Sequence, residues 1–227
     1  ETVIGSRSGG IGIIESRSTE TVVRFIKNVE SSGAWHWVLG STVSDVQLDY
    51  NLVVRDNGCT QFDSDCRFSD HDLSTALAKR RLTRGNTFVE NIIDIKETVS
   101  FAIGIGYAFD NYLDEYAVEP RVRLNVDFSP KLSAAVRAGR YSQMPSFEYI
   151  EGELGNPELG YLGAEHYAFG INYRSRGWLL SIDAYYKSFD HLITSDPRLK
   201  YDDHGDGEAR GVGLMLRAAP DPWSLWF

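Results

Sequence analysis

The sequence predicts an all-β chain whose antiparallel strands each carry one polar and one apolar face. The alternation is unbroken over residues 121–128, it recurs along the chain, and tight turns alternate with longer connections. A strand of this kind turns one face to a polar medium and the other to an apolar medium. Recurring two-faced strands joined in this order predict the strands of a transmembrane β-barrel. In residues 121–128 the polar face comprises Arg121, Arg123, Asn125 and Asp127, and the apolar face comprises Val122, Leu124, Val126 and Phe128.

About ten strands are predicted from this period of two. The alternation is cleanest in 98–109, 131–143, 164–175 and 178–189, where helical spacing does not fit. Residues 34–50 change phase near Ser44, which predicts a bulge or an extension beyond the bilayer. The predicted strands are 21–29, 34–50, 86–95, 98–109, 117–128, 131–143, 164–175, 178–189, 208–218 and 223–227.

The predicted connections alternate in length along the chain. Bacterial barrels place short turns on the periplasmic side and long loops outside the cell, whereas a Greek-key sandwich has no reason to keep this order. The tight turns are 30–33, 96–97, 129–130, 175–177 and 219–222, rich in Gly, Pro and Ser. The other connections are 51–85, 110–116, 144–163 and 190–207.

Aromatic residues on the apolar faces lie near both ends of the predicted strands. Two such rings, at opposite ends of an apolar band, are typical of the aromatic girdles at membrane interfaces. Beside the short turns lie Trp35, Phe128, Tyr173 and Trp178, and beside the longer connections lie Tyr107, Phe109, Tyr167 and Tyr186.

Composition excludes several classes of function. The net charge of −9 over 227 residues, without a Lys/Arg cluster, argues against a nucleic-acid surface. No run of 18 apolar residues is present, so no transmembrane helix is predicted. The motifs of nucleophile elbows, phosphate loops and zinc proteases are absent, so we expect neither an enzyme nor a bound cofactor.

Four segments resemble the barrel of TonB-dependent outer-membrane receptors. They are residues 120–150, 155–159, 184–187 and 208–214. The resemblance covers about residues 86–218 and departs from the family at Ala164, where members often have Pro, and at Gly213, where they often have Glu. It implies that residues 1–227 are part of a barrel of about 22 strands, without the plug domain such receptors carry. We therefore expect an internal piece of a longer protein.

The resemblance also implies a function and partners. The whole receptor would lie in the outer membrane of a Gram-negative bacterium, in contact with its lipid. It would import a scarce nutrient, commonly an iron–siderophore complex, with energy relayed through TonB.

Inward-facing charges are the best candidates for ligand contact in a polar lumen. Arg121, Arg123 and Arg137 are predicted on neighbouring strands, together with Asp183 and Lys187. An alternative is that such charges pair with the plug or with one another. Loop candidates are Tyr149, Glu151, Glu153 and Asp190.

Two further motifs lie in predicted loops. Cys59 and Cys66 predict a disulfide, because an extracellular loop is in an oxidising compartment; a metal-binding pair is the alternative. Residues 202–208 resemble a calcium loop, but position 12 falls on Gly213, so the bidentate Glu is missing. A solvated loop tip without metal is the better interpretation.

Two other architectures remain open at this point. A self-contained barrel of about ten strands, acting as a pore, adhesin or enzyme, requires 21–29 to pair with 223–227. A soluble carbohydrate-binding sandwich predicts that one set of side chains is buried between two sheets. That set comprises Tyr167, Phe169, Ile171 and Tyr173.

Overall fold

The chain forms one antiparallel sheet of ten strands, in which each strand pairs with the next along the sequence. A computed structural model describes residues 13–30, 33–55, 73–151, 155–196, 200–218 and 225–226. The strands are β1 (Ile13–Glu30), β2 (Trp35–Arg55), β3 (Leu73–Lys96), β4 (Val99–Asp110), β5 (Tyr116–Ser129), β6 (Leu132–Gln143), β7 (Leu162–Ser175), β8 (Trp178–Asp196), β9 (Lys200–Ala218) and β10 (Leu225–Trp226). One helical turn, α1 (Phe147–Ile150), precedes β7.

The predicted all-β fold is confirmed, and so is the division of the sheet into two faces. On one face, which we call the outer wall, large apolar side chains such as Trp37, Ile103 and Val122 are exposed. On the other, the inner wall, Glu119, Arg121 and neighbouring polar groups contact one another.

No helix among the described residues has the length and apolar character needed to cross a membrane.

The sandwich alternative is wrong, because the side chains that it buries are on the open face. Tyr167, Phe169 and Tyr173 are 49%, 44% and 41% exposed. Closure of ten strands on themselves is also not seen: within the described residues β1 pairs with β2, and Leu225 pairs with Ala218 of β9.

Two predicted loops are largely strand. The ladder of β2 and β3 continues to the pair Arg55–Leu73, which leaves only 56–72 of the predicted loop 51–85. The ladder of β8 and β9 continues to the pair Asp196–Lys200, so residues 202–208 belong to β9 and are not a loop tip. The prediction failed here because both faces of these extensions carry polar residues, and the hydrophobic period that marks a half-buried strand is lost.

No bulge lies at Ser44, where β2 pairs with both neighbours in unbroken register. The change of phase is instead a change of chemistry on the outer wall, where apolar residues up to Val43 give way to Asp45. The strand therefore extends beyond the apolar band, which was the other predicted outcome. Irregular pairing occurs instead between Asp94 and Lys96 of β3 and around His191 of β8, which has a φ of +56°.

The predicted aromatic residues lie on the outer wall at both ends of the apolar band. Near the short turns, Trp35, Phe128 and Trp178 are exposed. At the other end, Tyr107 stacks on Tyr116 with ring centroids 5.5 Å apart. All eight predicted positions are exposed or half-buried.

Glycine makes room for side chains that lie flat on the inner wall. A Cβ added at Gly211 would lie 2.7 Å from the hydroxyl oxygen and 2.8 Å from Cε1 of Tyr185, which packs over it. The ammonium of Lys187 in turn lies 5.6 Å from the centre of the Tyr185 ring. At Gly213, two residues along β9, the nearest atom to an added Cβ is 3.9 Å away.

We expect Gly211→Val to lower the free energy of unfolding by about 1–3 kcal/mol, because the Tyr185 ring must leave its place. The matched variant Gly213→Val should change it by no more than about 0.5 kcal/mol. Urea unfolding of the detergent-folded protein, followed by its heat-modifiable mobility in gels, measures both. Equal losses in the two variants would contradict the packing argument.

Candidate ligand-binding site at the mouth of the inner wall

The strands extend to unequal heights at the end of the sheet that carries the longer connections. Strands β2 and β3 have 21 and 24 residues, and β8 and β9 have 19 each. The strands between them, β4 to β7, have only 12 to 14. A low stretch of wall therefore lies between two tall hairpins.

The connection from β6 to β7 lies across this low stretch, and we call its described parts, 144–151 and 155–161, the crossover segment. One end is fixed to β3, where Arg80 donates from Nε to Glu151 Oε2 at 3.0 Å and from a terminal nitrogen to Oε1 at 2.5 Å. The Glu151 carboxylate is 7% exposed. Its hydrogen bond, and then its charge, raise the pKa of the Arg80 guanidinium. Two-point pairing of this kind fixes orientation as well as distance.

The other end of the crossover segment is fixed to β9. Asn156 donates from Nδ2 to the carbonyl oxygen of Tyr201 at 2.8 Å. The Gly160 N–H donates to the Asp203 carboxylate at 3.4 Å. The ring of Tyr149 meets that of Tyr201 edge-on, with centroids 4.9 Å apart. The segment therefore joins the two tall hairpins.

Local sequence explains the shape of the crossover segment. Ile150 and Leu159 are buried and anchor its two halves. Only glycine fits at position 155, since a Cβ added to Gly155 would lie 2.8 Å from the backbone nitrogen of Ile150. The Asn156 side chain accepts from the N–H of Glu158 at 2.9 Å, an Asx turn that begins the approach to β7.

Asp110 is a buried carboxylate that joins the β4–β5 turn to the crossover segment. One oxygen accepts from the N–H groups of Tyr112 and Leu113 at 2.9 and 2.7 Å. The other accepts from the hydroxyl of Tyr161 at 2.5 Å. Burial, followed by this hydrogen bond to a carboxylate, raises the pKa of the Tyr161 phenol.

Glu119 is a second buried carboxylate and joins β3, β5 and β6. It accepts from the N–H and hydroxyl of Ser142 at 3.0 and 2.7 Å. It also accepts from Asn86 Nδ2 at 3.3 Å and from the Arg121 guanidinium at 3.4 Å. Above this network, a cavity of about 310 Å³ reaches from Glu20 of β1 to Tyr161.

Of the predicted residues, Arg121 has the most fixed position. Its guanidinium carbon lies 5.7 Å from the centre of the Phe88 ring and 5.9 Å from that of Tyr141. Aromatic faces attract guanidinium groups and restrict their motion. Glu119 adds an ion pair on one side. Arg121 is therefore held in place on the inner wall, below the end of the wall that carries the longer connections.

Arg123 and Arg137 lie directly opposite each other on β5 and β6. Arg123 donates to Glu90 at 3.1 Å, and Arg137 is exposed on the inner wall. Like charges in opposed positions repel. The structure therefore brings three predicted arginines together on two neighbouring strands.

The remaining predicted residues lie apart from these arginines. Asp183 and Lys187 are on β8, separated from β6 by β7; Asp183 accepts from the Ser181 hydroxyl at 2.9 Å. Tyr149 is in the crossover segment, beside Tyr201. Asp190 is on the outer wall, paired with Arg140 at 2.8 Å.

Sequence reasoning missed Asp110, Glu119 and Tyr161. The sequence pattern could have indicated Glu119, because it lies two residues before Arg121 and on the same face of the strand as Arg121 and Arg123. The alternation does not indicate Asp110 or Tyr161, since Asp110 ends β4 and Tyr161 precedes β7.

A group of possible metal ligands lies on β9. One ligand atom each of Asp202, Asp203 and His204 lies within 4.8 Å of the others. The Asp202 carboxylate contacts His204 Nδ1 directly, and this hydrogen bond raises the pKa of the His204 imidazole.

The predicted disulfide of Cys59 and Cys66 and the candidate Glu153 lie outside the described residues, so they remain predictions.

An apolar outer wall and a polar inner wall, with the crossover segment across one end, define part of a transmembrane β-barrel. A family model described as TonB dependent receptor-like, beta-barrel, matches residues 6–227. The chain belongs to this family. No curated protein matches its sequence.

Several solved structures share the fold. A mutant of the ferric enterobactin receptor PfeA from Pseudomonas aeruginosa is 11% identical, with a TM-score of 0.67 over 93% of this chain and 35% of its own. The siderophore receptor PirA from Acinetobacter baumannii is 9% identical, with a TM-score of 0.61 over 90% and 35%. The copper transporter OprC is 11% identical, with a TM-score of 0.63 over 91% and 35%. This chain thus spans about a third of their length.

Tyr161→Phe should release the crossover segment, because it leaves buried Asp110 without a hydroxyl donor at a cost of about 1–3 kcal/mol. Hydrogen exchange of the amides in 155–161 is expected to rise by about tenfold or more. Because the pKa of Tyr161 is raised on folding, this stabilisation is complete below the ordinary tyrosine pKa of about 10. It is lost only as the pH rises through the higher value of the folded state.

Tyr167→Phe is the matched control for that measurement. The Tyr167 hydroxyl also donates to a carboxylate, that of Glu165 at 3.1 Å, but on the exposed outer wall. If both variants raise exchange in 155–161 equally, the buried hydrogen bond is not what holds the segment.

Proposed function

We propose that the complete protein is a TonB-dependent transporter in the outer membrane of a Gram-negative bacterium, and that it imports an iron–siderophore complex. The observation that carries this proposal is the two-sided wall. Its apolar side suits lipid, and its polar side ends in a mouth built from buried carboxylates and fixed arginines. Family membership supports the same function.

The orientation follows from the connections. The short turns 97–98, 130–131 and 176–177 belong on the periplasmic side, and the crossover segment faces the outside of the cell. Ligand arriving from outside would then meet Tyr149 and the crossover segment first and the arginines of β5 and β6 next. A plug domain in the lumen and TonB in the periplasm are the expected protein partners.

The inner wall supports an anionic ligand. Arg121 is pre-oriented between two rings, and exposed Arg137 lies opposite Arg123, which is paired with Glu90. Guanidinium groups bind planar anionic oxygens at two points, as iron-chelating carboxylates, catecholates and hydroxamates present. Asp183 and Lys187 lie further round the wall and would contact ligand only during its passage.

Uptake of a radiolabelled ferric siderophore by cells carrying the full-length protein tests the proposal. Uptake should stop when the protein or TonB is deleted. Arg137→Gln should raise the half-saturating concentration about tenfold, the value of one lost charge-assisted hydrogen bond. Arg140→Gln, three residues along β6 and on the outer wall, is the control and should leave it unchanged.

Three outcomes would contradict parts of this proposal. Uptake that persists without TonB would exclude the transporter class. TonB-dependent uptake of copper but of no ferric siderophore would keep the class and change the substrate. Equal effects of the Arg137 and Arg140 variants would remove the inner-wall arginines from ligand binding.

A further inference from the structure

A groove on the outer wall runs along β3 near the end of the sheet with the short turns. Trp35 and Trp37 of β2 form one side of the groove, and Ile103 and Ile105 of β4 form the other. These four side chains are between 41% and 50% exposed, so they stand above the floor between them. The groove has a volume of about 560 Å³, and almost all of its lining is apolar.

Asn91 lies on the floor of this groove and is only 5% exposed. Its carboxamide can both donate and accept hydrogen bonds. It makes one long contact, from Nδ2 to the carbonyl oxygen of His36 at 3.4 Å, and no other partner is found among the described residues. By contrast, the hydroxyls of Ser41 and Thr87 on the same wall hydrogen-bond each other at 3.2 Å. Asn91 is therefore a buried polar group whose hydrogen bonds are largely unmet, which is costly unless a ligand supplies the partners.

The depth of Asn91 in the bilayer follows from the location and orientation proposed above. The ladder pairs Trp37 with Asn91, so the amide lies level with the third residue of β2, close to the short turns on the periplasmic side. Tryptophan is enriched where the hydrocarbon meets the polar headgroups. The amide of Asn91 therefore lies at the level of the ester groups of lipids in the periplasmic leaflet.

We propose that this groove binds a diacyl glycerophospholipid of the periplasmic leaflet, and that the Asn91 carboxamide donates to an ester carbonyl of that lipid. One acyl chain would lie along β3, from Ile93 past Val89, between the two sides of the groove. These four steps of strand extend about 13 Å, and one leaflet contributes about 15 Å of hydrocarbon. An apolar groove with one placed polar group is the usual form of a small-molecule site.

The recessed position of the amide favours a lipid chain over a second copy of this protein. A neighbouring wall would rest on the tryptophan and isoleucine side chains and leave Asn91 untouched below them, whereas a single acyl chain fits between them. The amide is also local to this place. The ladder partners that continue the row from Asn91 are apolar, namely Ile103, Val122 and Ala138.

Binding of dioleoyl phosphatidylethanolamine to the full-length protein in detergent, measured by native mass spectrometry, tests the site. The second probe is the diether analogue, which lacks the ester carbonyls. The native protein should bind the diester about fivefold more tightly, the value of one net hydrogen bond. This preference should disappear in Asn91→Leu. The control Thr87→Val, which removes a paired hydroxyl from the same wall, should keep it.

A second pair of variants tests the groove without removing the amide. Val89→Trp fills the groove and should weaken binding of both probes by about tenfold or more, whereas Val136→Trp, on the outer wall of β6, should leave both unchanged. Heat-modifiable mobility verifies that each variant is folded.

Several results would overturn the proposal. They are equal binding of the two probes by the native protein, a preference that survives in Asn91→Leu, and equal losses in Val89→Trp and Val136→Trp. A dimer that dissociates in Asn91→Leu, or a lipoprotein anchor held in the groove, would replace the phospholipid with another occupant. Fractionation separates this site from the proposed function: protein absent from the outer membrane refutes the location, whereas protein present there without the ester preference refutes only the site.

Discussion

Satisfaction of backbone hydrogen bonds is the constraint on which the rest of this structure depends. Hydrocarbon offers no partner to an N–H or C=O group, so a wall facing lipid must pair every such group within the sheet. Strands β2 to β8 meet this requirement with their sequence neighbours, whereas β1 is paired along one edge only within the described residues. Because the backbone groups are paired, the side chains of one face can be apolar and those of the other polar. The two faces appear in the sequence as an alternation with a period of two.

The inner wall shows how polar chemistry is accommodated on such a sheet. Small residues such as Gly106 and Gly211 leave space in which longer side chains lie flat: an added Cβ at Gly106 would meet both Arg121 and Glu119. Buried carboxylates then receive several donors each, because a buried charge with unmet hydrogen bonds is costly. Glu119 has four donors from three strands. This end of the inner wall is thus built on the ladder, and buried Ile150 and Leu159 anchor the crossover segment over it.

The sequence predicted the fold well within the apolar band and poorly beyond it. The strand predicted at 98–109 is observed at Val99–Asp110. The one predicted at 178–189 continues to Asp196, because its upper part has polar residues on both faces and an irregular pairing after Phe189. The alternation of polar and apolar residues reflects a contrast between a polar and an apolar medium. Above the bilayer both faces of a strand meet a polar medium, so the alternation disappears.

The candidate site divides in the same way. Arg121 and Arg123 were predicted because their direction follows from their own strand. Arg80 with Glu151 and Asp110 with Tyr161 were not, since these partners are 71 and 51 residues apart. Such pairs depend on the relative heights of distant hairpins, which no local pattern encodes.

The crossover segment has a geometric consequence for the whole wall. Along the ladder, β3 and β9 are six steps of about 4.8 Å apart. The segment joins them by a shorter path: the N–H of Gly155 donates to the carbonyl of Glu151 at 2.5 Å, so its two attachment points lie about one turn apart. It acts as a chord across an arc, because it connects two strands that the ladder places six steps apart.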